Sequence, residues 1–383
     1  MKLIVNLKLN PLESQHNALL ETVRQANKAC DWISQKAFEN KIFKQFDLHK
    51  LCYKSCRETF NLSAQIVVRQ IKKVVDSYKI QKKQQTTFKP LGSIAYDDRI
   101  ISFKRVAQVS IWTVDGRLNI PFVGGEHQKK LLKFRKGEVD LIYRKGNFFL
   151  NAVCDIPEEN PLVPSDIIGI DFGIVSLATD STGESFTGQT VETVRQRYSN
   201  QRQLLQHKAS KQSQNGNRPR NTHKLIKRLS GREKNFRKLE NHNISKKLVD
   251  KAKTLNSAIA LEDLKHIRTR IEKTVNREQR AKISGWSFFE LRAFIEYKAK
   301  LNGVPVYFVN PKNTSRECSQ CGYTDKANRK YQAEFVCVQC NHIENADFNA
   351  SKNIRSRAFV NTLQSSERCR YGASVITGLK PLP

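Results

Sequence analysis

The chain has 383 residues, with 67 Lys and Arg against 36 Asp and Glu and a formal net charge of +31. This length allows about two or three domains with hydrophobic cores, and the charge predicts a polyanionic partner, with nucleic acid favoured over a membrane surface. No run approaches the roughly 18 apolar residues of a membrane span, and Lys8 and Asn10 interrupt the first apolar run, which argues against a signal peptide.

The first part of the chain combines one strand with helices. Leucine and valine alternate with other residues from Leu3 to Leu9, which predicts a strand. After Pro11, apolar residues recur at helical spacing as far as Ile33, and they do so again between Ile66 and Tyr78. We therefore predict a helical recognition domain over residues 11–93.

Between residues 94 and 156 the pattern changes to short alternating runs. Turn signals such as Asp115-Gly116, Gly124-Gly125 and Lys145-Gly146-Asn147 separate them. Turns at this density predict a small β-barrel, which the first strand joins. Residues 1–10 and 94–160 then form one wedge-like β-barrel domain with a helical insertion, and the proline-rich, acidic stretch 157–164 is a linker.

The next segment is strongly basic. Strands and helices alternate after the linker, which is typical of an α/β domain. Between Arg195 and Lys247 there are 16 Lys and Arg but only two acids, and the polar stretch 206–222 predicts a flexible turn between two basic helices. The segment is either a solvated charged face or a phosphate-binding surface, and the scarcity of acids favours the second. The candidate nucleic-acid contacts here are Arg220, Lys224, Lys227, Arg228 and Arg232.

Two apolar strands of this domain end in acidic residues. Ile167 to Gly173 reads as a buried strand that delivers Asp171 just before a tight turn. A second apolar strand ends in Glu262-Asp263, and alternation lets only one of these two acids face a shared site. We choose Glu262, although the pair could instead cap a helix that begins near Leu264.

A third acid, Asp347, lies at the start of the last predicted helix. An isolated acid in that position is usually a helix cap. Together with Asp171 and Glu262, however, it completes the carboxylate set that two divalent cations about 3.5–4 Å apart require. Carboxylate oxygen favours the hard cations Mg²⁺ or Mn²⁺. The three acids are therefore the candidate catalytic and magnesium-binding residues for phosphodiester cleavage.

The nine cysteines divide into a metal-type set and a scattered remainder. Two Cys-x-x-Cys pairs, formed by Cys318 with Cys321 and by Cys337 with Cys340, have the spacing of a closed structural zinc site. The others show no disulfide pattern, which fits a reducing compartment. Cys52 and Cys56 lie one helical turn apart and, without a second pair, are predicted to be core or helix-surface residues and not metal ligands.

The acids and cysteines lie in motifs that closely resemble those of TnpB, the OrfB-type protein of bacterial and archaeal insertion sequences. The motifs are Gly169-Ile170-Asp171, Leu261-Glu262-Asp263-Leu264, Asn313-Thr314-Ser315 leading into the cysteines, and Asn345-Ala346-Asp347-Phe348-Asn349-Ala350. The match is strongest from Ile167 to Arg355. Arg316-Glu317 departs from the smaller, neutral pair expected before the first cysteine.

The resemblance implies an RNase H-like (RuvC) α/β nuclease domain over residues 165–383, with a zinc ribbon at about 314–343. The weak residue pattern from about 361 predicts a disordered tail. It implies an RNA-guided, metal-dependent DNA endonuclease, related to compact type V CRISPR nucleases, that cuts beside a short flanking motif. Its partners would be a guide RNA from the transposon end and double-stranded target DNA. Gln65, Arg69 and Lys72 are candidate contacts on the helical domain. The expected location is cytoplasmic and nucleoid-associated, in a prokaryote.

Two other functions remain open. A nuclease-derived regulator would bind nucleic acid without cutting it, but all three acids are present. A transposase of the same core fold would join DNA strands, but its acids are expected in the order Asp, Asp, Glu, and here the order is Asp, Glu, Asp. The oligomeric state does not follow from the sequence.

Overall fold

A computed structural model describes residues 1–104, 107–264 and 288–376, and of residues 362–376 only the backbone. The chain divides into two compact units, Met1–Pro157 and the residues from Glu158 onward. The division falls at the start of the stretch predicted to be a linker. None of the described helices is both long and apolar enough to cross a bilayer.

The first unit contains a seven-stranded, antiparallel, barrel-like sheet. Its strands are β1 (Lys2–Leu9), β2 (Ile94–Tyr96), β3 (Ile101–Lys104), β4 (Gln108–Thr113), β5 (Gly116–Val123), β6 (Arg135–Arg144) and β7 (Asn147–Asp155), in the order β2-β6-β7-β1-β5-β4-β3. The first strand lies between β7 and β5, so the prediction that it joins the sheet is confirmed. Its alternation follows the pleat: Val5, Leu7 and Leu9 are buried, while Ile4 and Lys8 are exposed.

Three helices follow β1 in the same unit: α1 (Glu13–Glu39), α2 (Gln45–Phe60) and α3 (Ala64–Ile80). The apolar residues that repeat at helical spacing form their shared core, for example Leu19 and Ile33 on α1 and Ile71 on α3. Cys52 and Cys56 are fully buried on α2. Of the two roles predicted for them, core and helix surface, the structure shows the core role. A short helix, α4 (Glu126–Leu132), connects β5 to β6.

The second unit is built on a five-stranded mixed sheet. The strands are β8 (Asp166–Asp171), β9 (Ser176–Asp180), β10 (Ser185–Thr187), β11 (Ser257–Glu262) and β12 (Val306–Val309), in the order β10-β9-β8-β11-β12. Strands β8, β11 and β12 are parallel, and β9 is antiparallel to both β8 and β10. The central strands β8 and β11 are continuous apolar runs because both of their faces are covered.

Helices cover the two faces of this sheet with separate cores. Helices α5 (Gln189–Gln214), α6 (Arg220–Thr254) and α7 (Phe288–Leu301) belong to one face, where Leu248 and Ile295 pack on Ile259. Helix α8 (Ala346–Ile376) covers the other face, where Ile354 packs on Ile167. The helix continues past residue 361, but side chains are described only to that point. The disordered tail therefore stays a prediction.

Helix α8 lies unusually close to β8, and one glycine permits this approach. A Cβ atom on Gly169 would overlap the backbone oxygen of Ser351 and the backbone nitrogen of Arg355. Any side chain at this position would push the helix away from the sheet. Gly169 therefore sets the distance between the strand that ends in Asp171 and the helix that begins beside Asp347.

Helices α5 and α6 form the basic hairpin expected from the sequence, but the turn is shorter than predicted. The helices extend to Gln214 and from Arg220, so most of the stretch 206–222 is helical. Polar contacts hold it, since Thr222 donates a hydrogen bond to Gln212 (2.8 Å) and Arg202 forms an ion pair with the buried Glu233 (3.0 Å). These pairings compensate for the small number of apolar residues.

Candidate catalytic centre and four-cysteine cluster

Three predicted acids meet around one cavity at the carboxyl ends of the parallel strands. Asp171 is the last residue of β8 and Glu262 the last of β11, and the two strands are in parallel register with Leu261 opposite Ile170. Asp347 comes from the first turn of α8. All three line a cavity of about 500 Å³. Strand polarity thus delivers two carboxylates to one edge of the sheet, and the helix adds the third.

In this cavity, the ionised form of the carboxylates is unfavourable unless a cation is bound. Burial, followed by the charges of Glu262 and Asp347, raises the pKa of Asp171 well above its ordinary value, and Arg329 opposes this shift. Burial also raises the pKa of Glu262, against a hydrogen bond from Thr314 that lowers it. Clustered acids with raised pKa values mark a site that a cation would stabilise.

The neighbouring acid Asp263 is already paired. Its carboxylate accepts a hydrogen bond from Arg292 of α7 at 3.1 Å, and the guanidinium of Arg292 also binds Glu296. Glu262 has no ion-pair partner among the described residues, and its carboxylate faces Thr314. The alternative that Glu262-Asp263 caps a helix near Leu264 concerns residues 265–287, which lie outside the described part of the chain.

Arg329 is a residue of this cavity that the sequence analysis missed. It follows the 3₁₀ turn Lys326–Asn328 within the cysteine-rich segment. Its guanidinium donates to Asp347 Oδ1 at 3.0 Å and to the backbone oxygen of Gln332 at 2.6 Å. In the sequence, Arg329 is marked only by its position between the two cysteine pairs. Its basic neighbours share that position, so the sequence does not single it out.

The four cysteines form the compact cluster that their spacing predicts. The segment folds around a two-stranded sheet, β13 (Glu334–Val336) and β14 (Ile343–Asn345). Sulfur atoms are 3.7 Å apart between Cys318 and Cys340 and 3.5 Å apart between Cys321 and Cys337, and all four lie within 4.8 Å of one another. Tetrahedral Zn²⁺ with Zn–S bonds of about 2.3 Å requires sulfur separations of about 3.8 Å. The donor set therefore fits zinc.

The basic residues of the hairpin are exposed, as a binding surface requires. Arg220, Lys224, Lys227, Arg228 and Arg232 all lie on the solvent side of α6. Arg228 and Arg232 also border a leucine-lined groove between α5 and α6. The structure therefore places these five side chains along one helix, and their contact with nucleic acid stays a prediction.

The candidate contacts on α3 are engaged within their own unit. Gln65 donates a hydrogen bond to Asp97. Arg69 and Lys72 both form ion pairs with Glu138 of β6, and the Arg69 side chain is only 11% exposed. Glu138 thus offsets the positive charge that made this helix face a candidate, and a nucleic-acid role for these three residues stays a prediction.

Comparison with family models supports the resemblance drawn from the motifs. Residues 152–268 match a family described as probable transposase of the OrfB type from insertion sequence IS605. Residues 288–354 match a family described as Cas12f1-like, TNB domain. The first match contains Asp171 and Glu262, and the second contains the four cysteines and Asp347.

Curated relatives also support the resemblance drawn from the motifs. The chain is 33% identical over 220 residues to the CRISPR-associated endodeoxyribonuclease Cas12f1 of Sulfoacidibacillus thermotolerans, covering 55% of this chain and 50% of the relative. It is 35% identical over 181 residues to a TnpB-like protein of Methanocaldococcus jannaschii, covering 46% of this chain and 61% of the relative. The predicted resemblance to TnpB is confirmed, and the chain spans about half the length of the curated relatives it matches.

A solved structure shares the fold. The cryo-EM structure of a Cas12f1–sgRNA–target DNA complex aligns with a TM-score of 0.56, covers 88% of this chain and 82% of that chain, and is 19% identical in sequence. The two chains therefore share a fold.

Proposed function

We propose that this protein is an RNA-guided, divalent-metal-dependent DNA endonuclease encoded by an insertion sequence, which cleaves DNA next to a short flanking motif. One observation carries the proposal: Asp171, Glu262 and Asp347, from three separate elements, line a single open cavity. The similarity to Cas12f1 and TnpB-like proteins supports the assignment of this cavity to phosphodiester hydrolysis.

The sheet topology supports an RNase H-like, RuvC-type core. The sheet has the order β10-β9-β8-β11-β12. Strands β8, β9 and β10 come first in sequence and form an antiparallel meander. Strand β11 then pairs in parallel with β8, and β12 lies parallel on the other side of β11. The cysteine cluster lies between the second and third acids in sequence. This position fits a ribbon inserted into the nuclease domain.

The centre's own residues supply binding and orientation. Asp171, Glu262 and Asp347 would hold Mg²⁺ or Mn²⁺, which would supply an activated water and charge stabilisation when bound. The fit rests on three carboxylates that line one cavity. Burial, and then the charges of Glu262 and Asp347, raise the pKa of Asp171, and a bound cation would compensate for this cost. Arg329 holds the Asp347 carboxylate from the ribbon side. Cys318, Cys321, Cys337 and Cys340 would hold zinc as a structural ion, with no position left for substrate.

The charge distribution supports long nucleic-acid partners. The net charge is +31, and five exposed basic residues lie along α6 of the α5–α6 hairpin. A guide RNA and its heteroduplex with DNA would both be bound largely through their phosphates. The Cas12f1 of the structurally similar complex binds a guide RNA and target DNA.

The decisive experiment begins with purification of the protein together with any RNA that is bound to it. Sequencing of the co-purified RNA should yield one discrete species, and the complex should cut a plasmid that bears the target and flanking motif in Mg²⁺. Asp171→Ala should bind the same RNA and leave the plasmid intact. Absence of a discrete RNA, or equal cutting by Asp171→Ala, would contradict the proposal.

The family description of a probable transposase favours one second candidate, a strand-transfer enzyme. The same purified reaction distinguishes the two functions, because strand transfer yields covalently joined DNA products and hydrolysis yields only cut ends. A complex that occupies its target but leaves it intact in both Mg²⁺ and Mn²⁺ would instead indicate a regulator that does not cut.

A further inference from the structure

Residues 310–319 follow β12 and lead up to and through Cys318, the first cysteine of the ribbon, and part of this segment lines the catalytic cavity. We name it the lead-in loop. Thr314 is the buried residue of the loop that lines the cavity, with 3% of its surface exposed. The Thr314 hydroxyl lies 2.5 Å from Glu262 Oε1 and 3.1 Å from the backbone oxygen of Pro311. A hydroxyl carries one hydrogen, and an ionised carboxylate is the stronger acceptor, so this hydrogen points to Glu262.

Three side chains of α8 fasten the lead-in loop. Asn353, which is 4% exposed, donates to the backbone oxygens of Thr314 (2.9 Å) and Glu317 (2.6 Å). Asn349 donates to the same Glu317 oxygen at 2.8 Å and accepts from the Ser319 backbone at 2.9 Å. Arg357 donates to two further backbone oxygens of the loop, at 2.6 and 2.8 Å, and pairs with the Glu317 carboxylate.

These contacts connect two of the three acids. Helix α8 begins beside Asp347, and through Asn353 the same helix fixes the loop that carries Thr314 to Glu262. Both hydrogens of the Asn353 amide group are used on buried carbonyls, so the loop has little freedom to withdraw. Among the described residues, the hydrogen bond from Thr314 is the one that restrains the Glu262 side chain, and it engages the Oε1 atom of this cavity-lining carboxylate.

We propose that Thr314 is a positioning residue for Glu262, and that the lead-in loop, held by Asn353, sets this carboxylate against Asp347 for divalent metal binding. The proposal rests on the proposed function in treating Glu262 as a metal ligand. Outer-shell partners of ligating carboxylates typically change metal affinity by about 10–100-fold when they are removed, and we expect an effect of that size.

The test compares Thr314→Val, which keeps the shape of the side chain and removes the hydroxyl, with Thr314→Ser, which keeps the hydroxyl. Thr324→Val makes the same substitution at an exposed ribbon position and is the matched control. Mn²⁺ binding is measured by electron paramagnetic resonance of free Mn²⁺ on the full, zinc-loaded chain, with Asp171→Asn defining the catalytic site. Plasmid cleavage is measured in parallel across Mg²⁺ concentrations.

We expect Thr314→Val to weaken Mn²⁺ binding about 10–100-fold, to shift the Mg²⁺ dependence of cleavage upward by a similar factor, and to recover much of its activity at saturating metal. Thr314→Ser should bind Mn²⁺ like the parent. Unchanged Mn²⁺ affinity in Thr314→Val, or an equal loss in Thr314→Ser, would overturn the proposal. If the melting temperature of Thr314→Val is far below that of the parent, Thr314→Ala replaces it in the same comparison with Thr314→Ser.

The binding measurement separates this proposal from the proposed function. If the parent protein binds Mn²⁺ at the site that Asp171→Asn removes but cuts no DNA, the nuclease function fails and the role of Thr314 is still decided by Mn²⁺ affinity. If the parent shows no such Mn²⁺ site, both proposals fail.

Discussion

The guanidinium of Arg329 lies 3.0 Å from the carboxylate of Asp347, so a residue of the cysteine ribbon pairs with the third acid of the candidate centre. Both side chains are largely shielded from solvent, at 23% and 18% exposure. The guanidinium therefore supplies positive charge to a cavity in which three carboxylates meet, and it does so from the segment that carries the cysteine cluster.

Removal of this cation should destabilise the zinc-loaded protein when Mg²⁺ is absent. We expect Arg329→Ala to lower the melting temperature of the zinc-loaded chain in Mg²⁺-free buffer by about 2–4 °C for each kcal/mol of stability that the ion pair contributes, and that contribution should be about 1 kcal/mol. Saturating Mg²⁺ should narrow the gap, because the metal takes over the neutralising role. Lys326→Ala, an exposed basic neighbour, is the control. Equal melting of Arg329→Ala and the parent in Mg²⁺-free buffer would count against the charge argument.

The raised pKa of Asp171 predicts a pH-dependent cost in stability. A carboxyl group whose pKa is higher in the folded state destabilises the fold as pH rises from the unfolded value of about 3.9 through the raised folded value. In Mg²⁺-free buffer, the zinc-loaded Asp171→Asn variant should therefore melt higher than the zinc-loaded parent at neutral pH, and the two should converge below about pH 4. Asp115→Asn, at an exposed turn, should show no such divergence. Thermal melts across this pH range, repeated with Mg²⁺, check the prediction.

The close approach of α8 to β8 makes the stability of the protein sensitive to substitution of Gly169. We expect Gly169→Ala to destabilise the protein by about 3 kcal/mol or more, because the new methyl group overlaps backbone atoms that cannot rotate away. Gly231→Ala, with open space around its added methyl on helix α6, should instead be neutral or stabilise by up to about 1 kcal/mol. Denaturant unfolding of both variants gives the comparison. A mild effect at Gly169 would mean that α8 can shift without cost.

The five exposed basic residues of α6 predict a steep salt dependence of nucleic-acid binding. Replacement of Arg220, Lys224, Lys227, Arg228 and Arg232 by Gln should reduce the log–log slope of affinity against salt by about 0.9 for each duplex phosphate that the protein no longer neutralises. Arg69→Gln with Lys72→Gln should change that slope little, because Glu138 already pairs with both residues. Fluorescence anisotropy with labelled DNA across KCl concentrations measures both. Similar slopes in all three proteins would exclude the hairpin as a phosphate-binding surface.

Zinc removal should unfold the ribbon and disturb the third acid. We expect the parent to contain one zinc per chain and Cys337→Ser to lose it, since a four-thiolate site supplies most of the folding energy of so small a segment. Hydrogen exchange should then rise over residues 316–345 and reach the start of α8. Cys154→Ser, at a buried position outside the cluster, should retain zinc. Full zinc content in Cys337→Ser would contradict the four-cysteine assignment.

The sequence predicted the site's acids and cysteines because each has a local signal. Asp171 and Glu262 end apolar strands, and the cysteines have a fixed spacing, so their positions in the fold follow from period and distance along the chain. Thr314 and Arg329 have no such signal. Their importance comes from contacts with Glu262 and Asp347, which only the folded chain brings within hydrogen-bond distance.

Two further differences between the sequence prediction and the structure also come from contacts that only the folded chain brings together. The basic face of α3 is readable from the sequence, but its partner Glu138 lies on a distant strand, so the pairing could not be foreseen. The hairpin turn was predicted too long because its sequence is polar and has little to bury. Single pairings such as Arg202 with Glu233 hold the helices there, and no periodic pattern reveals them.

The position of Asp347 beyond the whole ribbon has a consequence for the order of events during synthesis. As the chain leaves the ribosome, β8 and β11 can pair and bring two acids together while the third has not yet been made. A chain interrupted before α8 would then hold an incomplete centre, whatever nucleic acid it had already bound. Under the proposed function, cutting activity is withheld from unfinished chains by the order of the acids alone.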